Sequence, residues 1–115
     1  MRVNRPPNVL WICTDQQRWD TIHALGNKHI RTPNIDRLVA EGVACTNAFC
    51  QSPICTPSRA SFLTGMYPDT VHACTNGNER WAEAAPLVTK ILADHYYCCG
   101  LSGKLHLSGV LKSSL

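Results

Sequence analysis

"NVLWICTD", residues 8–15, is the stretch that decides the fold. It is a continuous apolar run containing the β-branched Val9 and Ile12, and it closes on a carboxylate. A half-exposed strand would alternate apolar with polar residues. An unbroken run reads instead as a strand buried on both faces, the habit of a parallel sheet. Working outward, "TPNIDRLVAEG" (32–42) is punctuated as a helix. Thr32 suits the N-cap, Pro33 the first helical position, and Ile35, Leu38 and Val39 share a face before Gly42 stops the run. "VACTNAF" (43–49) reads as a second strand. The turn-rich "CQSPICTP" (50–57) leads to a short helix over 58–63, closed by Gly65. "APLVTKILADH" (85–95) gives an amphipathic helix with Leu87, Val88, Ile91 and Leu92 on one side. "YYCCGLS" (96–102) is the third strand, followed at once by Gly103 and Lys104.

Strands alternating with helices predict an α/β domain, with a mostly parallel sheet flanked by helices. Three parallel strands leave two open edges and need helices on both faces. The 115 residues therefore read as the N-terminal part of a larger α/β domain, and the tail 108–115 has no assigned role in it.

Composition narrows the function classes. A net charge of +3, with no lysine or arginine run interleaved with aromatics, gives no support for a nucleic-acid partner. No apolar run approaches the length of a membrane span. The start, "MRVNRPPNVLWIC", lacks a cleavage-like sequence after its short apolar stretch. The expectation is a cytoplasmic protein, or a periplasmic or secreted one if a leader precedes residue 1. The seven cysteines are odd in number, include the adjacent Cys98 and Cys99, and form no CxxC pair. Most read as small apolar residues in strands, and zinc is not indicated.

In open α/β sheets, functional groups gather past the carboxyl ends of the strands. Asp15, the 50–59 loop, and Lys104 with His106 all fall there. Lys104 and His106 are two apart, so an extended backbone points both the same way. Three cationic groups suit an anionic substrate, and a carboxylate suits a hard metal ion. Cys55 stands just before a helix start, where the helix dipole and Arg59, one turn on, favour it as a thiolate. On these grounds alone it is either a nucleophile or a buried structural thiol.

"CTPSRASFLTG" (55–65) then matches in full the Cys-x-Pro-Ser-Arg-x-x-x-Leu-Thr-Gly signature of the sulfatases, within the alkaline-phosphatase-like superfamily. The resemblance extends along Asn8 to about Leu107. "NVLWICTDQQRWDT" is similar to the family's first strand with its metal-binding Asp, "TPNIDRLVAEGV" to its first helix, and "GKLHL" to its Gly-Lys-x-His-Leu motif.

The resemblance implies a specific chemistry. The signature cysteine, Cys55, is oxidised to formylglycine by a formylglycine-generating enzyme that reads residues 55–59, Pro57 and Arg59 among them. One hydroxyl of the hydrated aldehyde attacks the sulfur of a sulfate ester in line; the other then expels sulfate. A plain thiolate would form a sulfated enzyme with no internal means of release, whereas the hydrate has one. Carried over, Asp15 binds Ca2+, and Cys55 as formylglycine is nucleophile and metal ligand together. Arg59 supports the hydrated aldehyde, Lys104 holds a sulfate oxygen, and His106 orients or deprotonates the hydrate. The substrate class implied is a small-molecule or carbohydrate sulfate ester.

This sequence departs from the family at several places. Gln16 stands where many members have a second Asp, so the metal site keeps an amide oxygen there but loses a charge. Tyr96 stands where Gly is expected, which removes an easy left-handed stop, and Ser102 replaces an apolar residue. The family's downstream Asp-Asn pair, and its His and Lys near the leaving group, have no counterpart within residues 1–115. The expectation is a sulfatase-like hydrolase whose isolated 115-residue chain is inactive. The alternatives are a phosphonate monoester or phosphodiester hydrolase of the same superfamily, and a non-catalytic fragment of a decayed gene.

Overall fold

The structure is a computed structural model that describes residues 6–77 and 85–107. The tail 108–115, to which the sequence assigned no role, lies outside the described residues. The chain divides into two compact units, the first ending at Thr46 and the second starting at Asn47.

The first unit holds a single 3-10 turn over His23–Leu25 and helix α1, Pro33–Glu41. The boundaries of α1 are those its punctuation predicts, with Pro33 in the first turn and Gly42 at the C-cap. Thr32 does occupy the N-cap, but its hydroxyl does not cap the helix. It accepts from the His23 N–H at 2.9 Å and donates to Asp36 Oδ1 at 2.8 Å. Asp36 Oδ1 also accepts from the Ala24 N–H at 2.9 Å. The hydroxyl is thus drawn away from its own helix to tie the 3-10 turn onto α1. A carboxylate competes better for a hydroxyl proton than a neutral backbone group does.

The second unit carries α2, Cys55–Thr64, and α3, Val88–Asp94. Its core is Ala60, Val71, Ala73 and Leu107, with Leu63, Met66, Ala85, Leu87 and Leu105 packed around it. α2 stops at Gly65, whose left-handed φ of 70° lets its N–H return to the Ser61 carbonyl at 2.7 Å. α3 stops in the same manner without a glycine. Tyr96 adopts φ 67°, its N–H reaches the Ala93 carbonyl at 3.0 Å, and the Tyr97 N–H reaches the Leu92 carbonyl at 3.1 Å. These two bonds define a Schellman motif with tyrosine at the position glycine usually fills. The loss of an easy stop at Tyr96 is therefore real, yet the stop itself is kept. Among the described residues no helix is long and apolar enough to cross a membrane.

The expected sheet is absent among the described residues, where no strand is formed. The runs 8–14, 43–49 and 96–102 have no strand pairing. Val9, Leu10, Trp11 and Ile12 are 66% to 84% exposed. A strand is held by its ladder partners, and a parallel one by helices over both faces as well. These runs carry the apolar side chains of buried strands without that covering. The cysteines follow suit: Cys13, Cys45, Cys50, Cys74, Cys98 and Cys99 are exposed, not buried as small strand residues, and no disulfide forms among the seven.

Two outcomes check this description. Burial raises the Asp36 carboxyl, but the Ala24 N–H, the Thr32 hydroxyl and the charge of His23 outweigh it and leave the group below its ordinary value of 3.8. A carboxyl lowered on folding contributes stability above its unfolded value, and that stability is lost as pH falls through the folded one. Helix content of the first unit should therefore fall on acidification below about pH 4, and Asp36→Asn should flatten that dependence while lowering stability at neutral pH. An Asn variant with an unchanged acid profile would contradict the tie. Separately, Tyr96→Gly should raise the stability of α3 by about 0.5–1 kcal/mol. Relief of the left-handed strain exceeds the added freedom of the unfolded chain. Thermal or urea unfolding reads this directly, and a loss of stability would refute it.

Candidate functional site

The site is built around the first turn of α2. The structure starts this helix at Cys55, three residues before the expected Ser58. The cause lies in how the unpaired N-terminal amides are satisfied. Ile54, at the N-cap, has extended backbone and donates its N–H to Ser52 Oγ at 3.2 Å. The Thr56 N–H donates to Asn76 Oδ1 at 2.9 Å. Pro57 has no N–H to satisfy, and its fixed φ suits a first turn. The helix is thus capped by a side chain twenty residues away, which no local pattern announces.

Cys55 is accordingly the first residue of the helix, half-buried, at the end where the dipole favours negative charge. One turn on, Arg59 is buried, only 9% exposed, although a lone helical arginine more often covers a solvated face. Its Nη1 donates to the Lys104 carbonyl at 2.6 Å. The Lys104 ammonium in turn donates to Cys55 Sγ at 3.5 Å. Thr56, 2% exposed, donates its hydroxyl to the His106 carbonyl at 3.0 Å.

Two bonds from α2 therefore fasten the 104–106 segment by its backbone, and Leu105 and Leu107 anchor it to the core. Lys104 and His106 lie exposed, alternating with these leucines as the two-residue spacing implies. The backbone is not simply extended, however, because His106 has φ 55°. That left-handed conformation carries a strain of about 1–3 kcal/mol in a residue with a side chain.

Cys55, Arg59, Lys104 and His106 are thus brought together within the second unit. Asp15 and Gln16 belong to the first, where Gln16 also adopts a left-handed φ of 56°. Among the described residues, no three His, Cys, Asp or Glu side chains form a group that could hold a metal ion. Asp15 offers a hard carboxylate and Gln16 an amide oxygen, the right chemistry for calcium. Calcium, however, takes six to eight oxygen ligands. The described residues do not supply that set by themselves. Thr56 and Asn76 are the residues that the sequence reading passed over. Thr56 sits at a variable position of the signature, and only the proline beside it hinted that a helix could begin so early.

Arg59→Met keeps the buried stem but removes the donor to the Lys104 carbonyl. It should destabilise the second unit by about 1.5–3 kcal/mol, the range for a hydrogen bond from a charged group. Urea unfolding measures this, and an unchanged midpoint would show that the bond does not hold the segment.

The sulfatase family model matches residues 7–113. The chain is 37% identical over 113 residues to a steryl-sulfatase of Mus musculus, an alignment covering 90% of this chain and 18% of the relative. It is 37% identical over 108 residues to an ulvan-active sulfatase of Formosa agariphila, covering 94% and 21%. It is 34% identical over 114 residues to arylsulfatase A of Homo sapiens, covering 93% and 22%. The chain thus spans about a fifth of the length of these relatives. No solved structure matches it. A family match over nearly all of its length, joined to a complete signature at the head of α2, shows that this chain belongs to the sulfatase family.

Proposed function

We propose that this chain carries the nucleophile of a sulfuric ester hydrolase, with Cys55 the precursor of a formylglycine. The observation that carries the reading is the placement of Cys55 at the first position of α2 with the Lys104 ammonium 3.5 Å from its sulfur. The sulfur here stands in for the oxygens of the hydrated aldehyde. Oxidised to formylglycine and hydrated by addition of one water, residue 55 supplies two hydroxyls, one to attack sulfur and one to expel sulfate. Lys104, beside that position, meets a sulfate oxygen and offsets its charge. Arg59 holds Lys104 by its backbone and adds a fixed positive charge within the same turn of helix. His106 accepts or returns a proton at a residue-55 hydroxyl.

Asp15 is the proposed carboxylate ligand of a divalent cation, with Gln16 a weaker neighbour. None of the steps above runs through the metal. A sulfate monoester is the substrate class, on a small molecule or a carbohydrate. One relative is named for steryl and another for ulvan substrates. The partner in maturation is a formylglycine-generating enzyme acting on residues 55–59.

Peptide mass analysis after co-expression with such an enzyme tests this. Cys55 should lose its sulfur and gain an aldehyde oxygen while Cys50 and Cys74 remain thiols. An unconverted Cys55, or conversion elsewhere, would overturn the reading. In a full-length sulfatase carrying this segment, hydrolysis of an aryl sulfate should likewise vanish in Cys55→Ala and survive in Cys50→Ala and Cys74→Ala. Faster turnover of an aryl phosphonate would move the assignment to the phosphonate ester hydrolases.

A further inference from the structure

We propose that Thr56 and Asn76 are positioning residues of this site, together setting the backbone from which the His106 imidazole projects. The proposal rests on the sulfatase reading for what His106 does, and on the structure alone for how it is held.

Both residues act through part-buried polar contacts that packing alone would not require, Asn76 itself standing exposed. Thr56 is 2% exposed, and each of its two donors is committed: its N–H to Asn76 Oδ1 at 2.9 Å, its hydroxyl to the His106 carbonyl at 3.0 Å. Asn76 satisfies an amide at the start of α2, so it fixes where that helix begins and hence where the Thr56 hydroxyl lies. The carbonyl that this hydroxyl reaches belongs to a residue at φ 55°. A side-chain-bearing residue stays in the left-handed region only when its surroundings over-determine it. The Thr56 hydroxyl, with Leu105 and Leu107 anchored on either side, supplies that determination. One turn of α2 therefore carries Cys55 and sets His106 at the same time. A valine at 56 would preserve the buried shape and remove only the hydroxyl. Ser and Asp at 56 and 76 keep, respectively, the donor and the acceptor.

The test uses the 115-residue chain with NMR, and inorganic sulfate as the probe. The one-bond Cα–Hα coupling of His106 separates positive from negative φ. It should report positive φ in the wild type and in Thr56→Ser and Asn76→Asp, and should move toward the negative-φ value in Thr56→Val and Asn76→Ala. Helical signals of α2 and the unfolding midpoint identify any variant that has simply lost its fold, in which case the Ser and Asp variants decide. Sulfate should perturb the His106 ring in the wild type, with affinity about tenfold weaker in Thr56→Val, the scale of one misplaced hydrogen-bonding group, and restored in Thr56→Ser. A folded Thr56→Val with the wild-type coupling and sulfate affinity overturns the proposal. A wild-type chain whose His106 ignores sulfate counts against the sulfatase reading, and the coupling then judges the positioning by itself.

Discussion

The hydrogen bond from Arg59 to the Lys104 carbonyl is the contact on which the arrangement of the site depends. It joins a helix to a segment 45 residues later, in a unit whose core, among the described residues, is four aliphatic residues, two of them alanine. Burial of so little apolar surface gives small directional preference. Where the apolar contribution is thin, geometry is set by polar groups that cannot be left unpaired. A buried guanidinium is costly unless its donors find acceptors. That penalty makes the bond to Lys104 obligatory. By holding Lys104 by its backbone, Arg59 leaves the lysine side chain to approach Cys55.

Helix ends were legible in the sequence wherever the stop is local. Pro33 opens α1 and Gly65 closes α2 through their own backbone preferences, while Gly42 stops α1 where a Cβ would meet the Leu38 carbonyl. The start of α2 was not legible. Ile54 brings no capping side chain, and the acceptor for Thr56 is Asn76, twenty residues away. Thr32 shows the converse: a residue of the right type in the right place, whose hydroxyl is claimed by Asp36 and the His23 amide. The runs 8–14, 43–49 and 96–102 were expected as strands and form no pairing among the described residues, for a related reason. An apolar run can be seen in one segment, but pairing is a property of two.

The signature nominates the candidate site residues in the sequence, but it does not announce their surroundings. The full Cys55–Gly65 motif singles out one cysteine among seven, and in the structure that cysteine alone is half-buried while the other six are exposed. Nothing in the motif indicated that Arg59 would be buried, or that its partner would be a backbone carbonyl. Among the described residues, four that are not glycine adopt a left-handed φ: Gln16, His72, Tyr96 and His106. Residue type pointed to none of them, and at Tyr96 it pointed the other way.

His72, Tyr96 and His106 are held left-handed by different means, and the difference bears on function. Tyr96 closes a helix through returning backbone bonds to Ala93 and Leu92. His72 repeats that pattern, its N–H on the Asp69 carbonyl and the Ala73 N–H on the Pro68 carbonyl. In both, the strain is contained within a few residues, and the turn would survive changes elsewhere. His106 receives instead a side-chain bond from Thr56, an element 50 residues away in the chain. Its conformation is coupled to the position of α2, so a shift of that helix would displace the imidazole and the Cys55 sulfur as a pair. Strain of the first kind shapes a fold, whereas strain of the second kind ties Cys55 and His106 to one frame.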